Sequence, residues 1–388
     1  MSSFFEDTAT AFALKTDSEL ERAYFLFKLI GNEPLVKIGT AVTNFAIKAH
    51  LPVEGLIRAT VFDHFCGGVN EDDCMPVVDK MWEKGVCSVL DYSVEGKEDE
   101  DPLDNALAMI LKVLDFVKEK DAIPFAVFKP TGYGRRALFR KIGEGQSLTT
   151  AEQAEWKRVV GRFDTTCKKA YDLDVSLLID AEESWMQDAA DRLVEDMMRK
   201  YNRKKAIVFN TLQMYRWDRM DYLKSLHERA LEADFKIGIK TVRGAYMEKE
   251  NDRAEEKGYP TPICASKKAT DANFDSAISF IITHLDTISV FAGTHNEASS
   301  QRLMELMQKE NIANNDEQIW FGQLYGMSDH ISFNLAAKGY NVAKYLPFGP
   351  VRDVMPYLIR RAEENTSVAG QTNRELELLK KERKRRKI

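Results

Sequence analysis

The chain has 388 residues, 44% of them hydrophobic, enough for two or three average domains or for one large α/β barrel with extras. A formal net charge of −6 predicts solubility and argues against a nucleic-acid-binding body. The five cysteines (Cys66, Cys74, Cys87, Cys167, Cys264) are odd in number and lack CxxC spacing, which argues against a disulfide framework and fits buried thiols in a reducing compartment.

The start, Met1-Ser-Ser-Phe-Phe-Glu-Asp7, is acidic and lacks Arg, so it reads as neither a signal nor a transit peptide. The expected location is cytoplasmic, with a peripheral position at the inner face of a membrane as the alternative. In a eukaryote the location would be mitochondrial, and the missing transit peptide would be a puzzle. No run of ~18 apolar residues is present to span a bilayer. The first ~75 residues carry helical periodicity, with helices expected over Ala23–Ile30, Leu35–Leu51 and Val53–Phe65, broken at Gly31, Pro34 and Pro52. Asp63-His64-Phe65-Cys66 with Cys74 faintly resembles a metal site. No second ligand pair follows at zinc spacing, so a core histidine and core thiols are expected and no metal.

A different rhythm then begins. Eight short apolar or β-branched runs alternate with amphipathic helices: Val86–Asp91, Phe125–Lys129, Val175–Asp180, Ile207–Leu212, Lys236–Val242, Ile288–Ala292, Ile319–Leu324 and Val342–Leu346. Such alternation implies parallel pairing, and the length fits a (β/α)8 barrel of ~250 residues. The segment from Tyr133 to Ala170 is too long for one crossover helix, and Ser147-Leu-Thr-Thr-Ala-Glu152 reads as a cap, so an insertion at about 133–170 is expected near the barrel mouth. The expected division is an N-terminal helical region 1–78, a barrel 79–366 and a charged, mobile tail 367–388. Lys380–Ile388 carries seven Lys/Arg and one Glu, a composition that reads as a solvated tail or as a contact for an anionic membrane surface.

Residues at the C-terminal ends of barrel strands face the active site. Polar residues gather at these ends: Lys129; Asp180-Ala181-Glu182-Glu183; Gln213; Lys240-Thr-Val-Arg243-Gly244-Ala245-Tyr246; Thr294-His295-Asn296; Gln323-Leu324-Tyr325-Gly326-Met327; Tyr345. Singly, each is as readily a rim charge, a helix cap or a crowded turn as a ligand. Seven strand ends with one habit favour a site. After the last strand, Tyr345-Leu-Pro-Phe-Gly-Pro leads into a helix carrying Tyr357, Arg360, Arg361 and Glu364. At about 100° per residue, these four side chains fall within an arc of roughly 100°. A paired-arginine face suits a small carboxylate, because the planar guanidinium donates in matched pairs. The bland alternative is a solvated face of ordinary Arg/Glu pairs.

Lys129, Asp180-Ala-Glu182, Lys240-x-Val-Arg-Gly-Ala-Tyr246, Thr294-His-Asn296, Gln323-Leu-x-Gly-Met327 and Tyr345-x-Pro-x-Gly with Tyr357-x-x-Arg-Arg-x-x-Glu364-Asn resemble the proline dehydrogenase family in pattern and order, over roughly residues 80–366. The resemblance implies a distorted (β/α)8 TIM-type barrel with an additional N-terminal helical region, binding FAD. By resemblance, Arg360 and Arg361 would bind the proline carboxylate. Glu364 would support them near the substrate nitrogen, and Lys129 would add a contact at the carboxylate. Tyr246, Leu324, Tyr345 and Tyr357 would pack around the ring. Ala181, Gln213, Lys240, Arg243, Gly244, Ala245, Thr294 and His295 would hold the flavin. Asp180 and Lys240 would serve catalysis, Asp180 by shaping the pocket and Lys240 by stabilising charge near flavin N5.

The implied reaction oxidises L-proline to Δ1-pyrroline-5-carboxylate, passes electrons to a quinone and opens proline catabolism. A downstream pyrroline-5-carboxylate dehydrogenase would be a separate protein. No GxGxxG follows a strand, so a nicotinamide site is not expected. The bulk of Tyr345 should disfavour a 4-hydroxyl on the ring. Some family members carry Arg at the Lys240 position, which leaves the hydrogen-bond geometry there open. The rivals are oxidation of a related cyclic amino acid such as hydroxyproline, a Schiff-base barrel enzyme using Lys129 or Lys240, and a barrel that binds flavin or proline without turnover.

Overall fold

The computed structural model describes residues 3–32, 54–92, 100–367 and 369–388, with isolated positions between 33 and 40 and without the side chains of 362–371. The helix expected over Leu35–Leu51 lies outside these residues. Eight parallel strands close a barrel in chain order: β1 Val86–Tyr92, β2 Phe125–Phe128, β3 Ser176–Ile179, β4 Val208–Gln213, β5 Ile237–Val242, β6 Ile288–Gly293, β7 Ile319–Leu324 and β8 Val342–Phe348. Each coincides with one of the eight apolar runs. β8 continues past its expected end, pairing Pro347 with Asp91 and Phe348 with Tyr92. Pro347 has no N–H to donate, and its carbonyl instead accepts from Gly67 N at 2.9 Å. Packing divides the chain into two compact units, residues 1–95 with 323–388 and residues 96–322, which differs from the expected domains 1–78, 79–366 and 367–388.

Residues 96–322 carry β2 to β6 and most of β7. Phe125, which opens β2, meets Phe209, Phe291 and Trp320 edge-on at 5.9, 5.2 and 5.0 Å. These rings fill the interior with apolar bulk. Gly322 makes room for them, since a Cβ there would sit 2.0 Å from Phe291 Cε1. Between β2 and β3, two helices occupy the expected insertion, Arg136–Gly143 and Thr150–Leu173. The second starts with a capping box, Thr149 and Glu152 each accepting from the other's backbone N–H. It ends where Asp174, at φ 57°, turns the chain toward β3.

Residues 1–95 with 323–388 carry β1 and β8 and the terminal helices. The Asp17–Ile30 helix opens with a capping box between Thr16 and Glu19 and buries Leu20, Ala23, Leu26, Phe27 and Ile30 on one stripe. The C-terminal segment corrects the expectation of a mobile tail. Ala369–Arg386 is a helix whose Leu378 and Leu379 join the same core as Leu20 and Phe27. Its basic side chains are largely spent inside the protein. Arg383 Nε donates to Glu21 Oε1 at 2.5 Å and its guanidinium lies over the Tyr24 ring at 4.2 Å. Arg386 donates to the carbonyls of Phe12 and Lys15 at 2.8 and 2.7 Å, and Lys381 pairs with Glu6 at 2.8 Å. A run of like charge read by composition alone hides the leucine pair and the i, i+3 and i, i+4 pairing of Glu382 with Arg385 and Arg386.

His64 is a core histidine, as read from the sequence. It is buried, its Nε2 donates to the Gly326 carbonyl at 3.0 Å, and burial lowers its pKa to about 3. Cys66 and Cys74 are buried thiols, and burial pushes Cys74 up to about 12. Among the described residues no helix is long and apolar enough to cross a membrane.

Candidate active site

In the 96–322 unit, the ends of β2, β3 and β5 bring three charges together. Asp180, just past β3, accepts from Lys240 Nζ at 2.5 Å and lies 3.8 Å from Lys129 Nζ. Lys240 is nearly buried, whereas Lys129 and Asp180 are partly open. One carboxylate therefore sets the direction of two ammoniums. A lysine whose donors engage a carboxylate is arranged as a hydrogen-bond donor, which weakens the Schiff-base reading for Lys240.

The loop after β5 is built from Arg243, Gly244, Ala245 and Tyr246. Arg243 is fixed on three sides: Nε to Asp271 at 2.7 Å, Nη1 to Thr294 Oγ1 at 2.7 Å and Nη2 to Ser299 Oγ at 2.9 Å. Its guanidinium also stacks 4.6 Å above Phe274. Gly244 has φ 131°, and a Cβ there would strike the Tyr215 ring at 2.6 Å, so only glycine fits. Gly244 and Ala245 are exposed and Tyr246 is half-buried. Gln213, at the end of β4, ties neighbouring loops together. Its Nε2 donates to the Glu182 carbonyl at 2.7 Å and its Oε1 accepts from Ala245 N at 3.2 Å. Thr294, after β6, accepts from Arg243 and from Asn296 N, and its own N–H donates to the Gly322 carbonyl at 2.9 Å. Ala181 and His295 are half-buried beside these groups in sequence. The cations Lys129, Lys240 and Arg243, with an open glycine corner, form a donor set suited to an anionic ligand.

In the unit formed by 1–95 and 323–388, Tyr345 is buried on β8 and its carbonyl accepts from Tyr325 N at 2.8 Å. Its neighbour Lys344 points to the Asp329–Ala336 helix, so Tyr345 faces the opposite, barrel side of the strand. Leu324 ends β7, partly buried. The Val351–Ser367 helix carries Tyr357, buried, and Arg360 and Arg361, half-exposed. The Arg361 guanidinium lies 5.2 Å from the Tyr357 ring centroid, as their i, i+4 spacing predicts. The Glu364 side chain lies outside the described residues.

Sequence reasoning quoted Glu182 in its motif but gave it no role. It is buried, accepts from Thr131 N and Oγ1 at 2.8 and 2.6 Å, and its pKa rises to about 7 because burial outweighs those hydrogen bonds. It fastens the loop after β2 to the loop after β3. Asp271 and Ser299, which aim Arg243, were not found at all; they lie on helices, where an exposed-looking polar residue carries no signal of its partner.

A closed parallel barrel with charge gathered at its strand ends defines a (β/α)8 scaffold of the enzyme type. The family model "Pro_dh: Proline dehydrogenase" matches residues 74–374, and the chain belongs to the proline dehydrogenase family. The chain is similar to the carbapenem antibiotics biosynthesis protein CarD of Pectobacterium carotovorum subsp. carotovorum, 36% identical over 335 residues, covering 86% of this chain and 87% of CarD. It is 39% identical over 235 residues to mitochondrial proline dehydrogenase 1 of Homo sapiens, covering 60% of this chain and 39% of that one. Among solved structures, proline utilization A (PutA) from Bdellovibrio bacteriovorus, inactivated by N-propargylglycine, superposes with a TM-score of 0.73 at 20% identity, over 95% of this chain and 39% of that one. The chain thus spans well under half the length of the human and PutA relatives.

Proposed function

We propose that this protein oxidises L-proline to Δ1-pyrroline-5-carboxylate with FAD as the immediate acceptor and a quinone as the onward one, as the first step of proline catabolism. The observation that carries this reading is the Tyr357–Arg361 face, in which a guanidinium is stacked on a buried phenol on the helix after β8. Arg360 and Arg361 hold the substrate carboxylate in bidentate fashion, and Tyr345, Tyr357, Leu324 and Tyr246 enclose the ring. The substrate amine must be neutral before a hydride leaves C5, the ring CH2 beside nitrogen on the side away from the carboxylate, since the nitrogen lone pair drives that step. Aromatic walls and two guanidiniums disfavour a second cation and lower the amine pKa, so water suffices as the proton acceptor. FAD, when bound, supplies a two-electron acceptor for the hydride. Lys240 would donate to that acceptor's ring, and Asp180 fixes where its ammonium points; Lys129 would add positive charge toward the carboxylate. Ala181, Gln213, Arg243, Gly244, Ala245, Thr294 and His295 would hold the cofactor.

The test is an anaerobic absorbance spectrum before and after L-proline. Flavin bands that bleach with proline support the reading. Bands that persist with proline but bleach with hydroxyproline would replace the substrate, and absence of flavin binding after incubation with FAD would overturn it. CarD, whose match covers 86% of this chain and 87% of its own length, motivates a second reading in which the same oxidation feeds a biosynthetic route. Growth on proline as sole nitrogen source, lost on gene disruption, favours catabolism over that alternative. The membrane contact proposed for the basic run now rests on Lys380, Lys384 and Lys387, which are exposed.

A further inference from the structure

The end of β7 and the four residues before the following helix, Leu324 to Ser328, form a segment held at almost every main-chain position. Tyr325 N donates to the Tyr345 carbonyl at 2.8 Å. Lys344 Nζ donates to the carbonyls of Met327 at 2.6 Å and Leu324 at 3.4 Å. His64 Nε2 donates to the Gly326 carbonyl at 3.0 Å, and Ser328 N donates to Glu375 of the C-terminal helix. The loop needs this restraint, because Gly326 and Ser328 both adopt left-handed backbone, at φ 79° and 52°, and serine does so at a cost.

The anchor of the set is Lys344, whose side chain is fully buried. Its counter-charge is Asp329, 2.8 Å away, and Asp329 also meets Lys15 of the N-terminal segment at 3.1 Å. Lysine is an odd choice for the middle of a buried strand, where a leucine would pack at less cost. A leucine could not hold two carbonyls of the adjacent loop. The residues at either edge of this frame are Leu324 and Tyr345, two of the four ring-lining side chains of the proposed proline pocket.

We propose that Lys344 is a positioning residue for substrate recognition: its ammonium fixes the Leu324–Met327 loop against β8 and so sets the spacing of Leu324 and Tyr345, while Lys15 and Glu375 tie the N-terminal segment and the C-terminal helix into the same frame. This inference rests on the assignment of Leu324 and Tyr345 to the ring pocket. It gives the terminal helices a part in specificity, through Asp329 and Ser328.

The test compares Lys344→Met, which keeps the stem and removes the donor, with wild type in the FAD-loaded protein. The expected result is a KM for proline raised about tenfold and a proline-to-hydroxyproline kcat/KM ratio narrowed by a similar factor, with flavin content unchanged and kcat at saturation within about threefold. A folded, flavin-loaded Lys344→Met protein with wild-type KM and ratio overturns the proposal. Lys15→Met is the second variant, since it breaks only the outer pair and leaves Lys344 on Asp329 and both carbonyls. It should shift KM and the ratio the same way by roughly two- to threefold. If Lys344→Met does not fold, an unchanged ratio in Lys15→Met overturns the proposal. Failure of the parent reading is separate: wild-type flavin would then not bleach with proline at all.

Discussion

Replacing Asp180 with Asn is the sharpest probe of the strand-end charge cluster. Asn keeps the shape and one acceptor oxygen but leaves Lys240, with 7% of its side chain exposed, beside Lys129 without a neutralising charge. Removing one member of a buried pair costs about 3–5 kcal/mol, and the retained acceptor and the openness of Lys129 reduce this to about 2–3 kcal/mol. For a protein of this size that is a fall of roughly 2–4 °C in the Tm of the flavin-free protein. The nitrogen and oxygen lone pairs of a flavin ring would offer Lys240 a replacement acceptor, so FAD should recover part of the loss and stabilise Asp180→Asn more than wild type. With the ammonium no longer aimed, kcat/KM for proline should fall about 100-fold. Differential scanning fluorimetry with and without FAD, followed by anaerobic flavin reduction, measures all three. A flavin-free Tm within 1 °C of wild type together with a reduction rate within about threefold would falsify the role given to the Lys240–Asp180–Lys129 cluster.

Arg361→Lys should raise the KM for proline about 10- to 100-fold while kcat changes less, because a point donor cannot reproduce the bidentate fork or the stack on Tyr357; steady-state assays in which KM stays within threefold refute it. Tyr345→Ser should narrow the preference for proline over hydroxyproline, and an unchanged kcat/KM ratio counts against the steric reading. Arg386→Ala should lower stability by about 1–3 kcal/mol by removing charged donors from the Phe12 and Lys15 carbonyls, measured by denaturant melting; a mobile tail would give no change. Glu182 predicts a pH dependence. Its pKa is raised in the fold to about 7 from 4.5, so its favourable contribution is fully present below pH 4.5 and is lost as pH rises through 7. The loss is up to about 3 kcal/mol. Glu182→Gln, a permanent mimic of the neutral form, should flatten the stability profile between pH 5 and 8, and parallel wild-type and mutant profiles would disprove the assignment.

The barrel was legible because its strands are short apolar runs at regular spacing, and burial on both faces of a parallel strand writes that pattern directly into sequence. All eight runs became strands, from Val86 to Phe348. The contact of Arg361 with Tyr357 was legible for the same reason, since i, i+4 helical spacing alone puts the two side chains together. Partnerships between elements were not. Nothing local to Arg243 announces Asp271 or Ser299, and nothing local to Arg386 announces the Phe12 carbonyl, 374 residues away in the chain. Composition misled at the C-terminus because seven basic residues outweigh two leucines in any count, whereas in packing the two leucines decide whether the helix docks.

Lys240 and Lys344 show where sequence reading can be extended. Both are lysines inside buried strand runs, Ile-Gly-Ile-Lys-Thr-Val and Val-Ala-Lys-Tyr-Leu-Pro-Phe, and the resemblance to a family drew attention only to the first. A buried lysine in a strand is costly in either case, so each must have a carboxylate, and the pleat decides where to look for it. On β5, Lys240 finds its partner in Asp180, at the end of the neighbouring strand, with its head at the barrel's C-terminal rim. On β8, Lys344 points to the covering helix and finds Asp329 in that helix's first turn, which leaves the adjacent Tyr345 on the barrel side. On the proposed reading, the same residue type in the same kind of strand would serve reaction chemistry on β5 and loop placement on β8. A charge in the middle of an apolar strand marks a buried ion pair, and the residue beside it, on the opposite face, is the one to test for substrate contact.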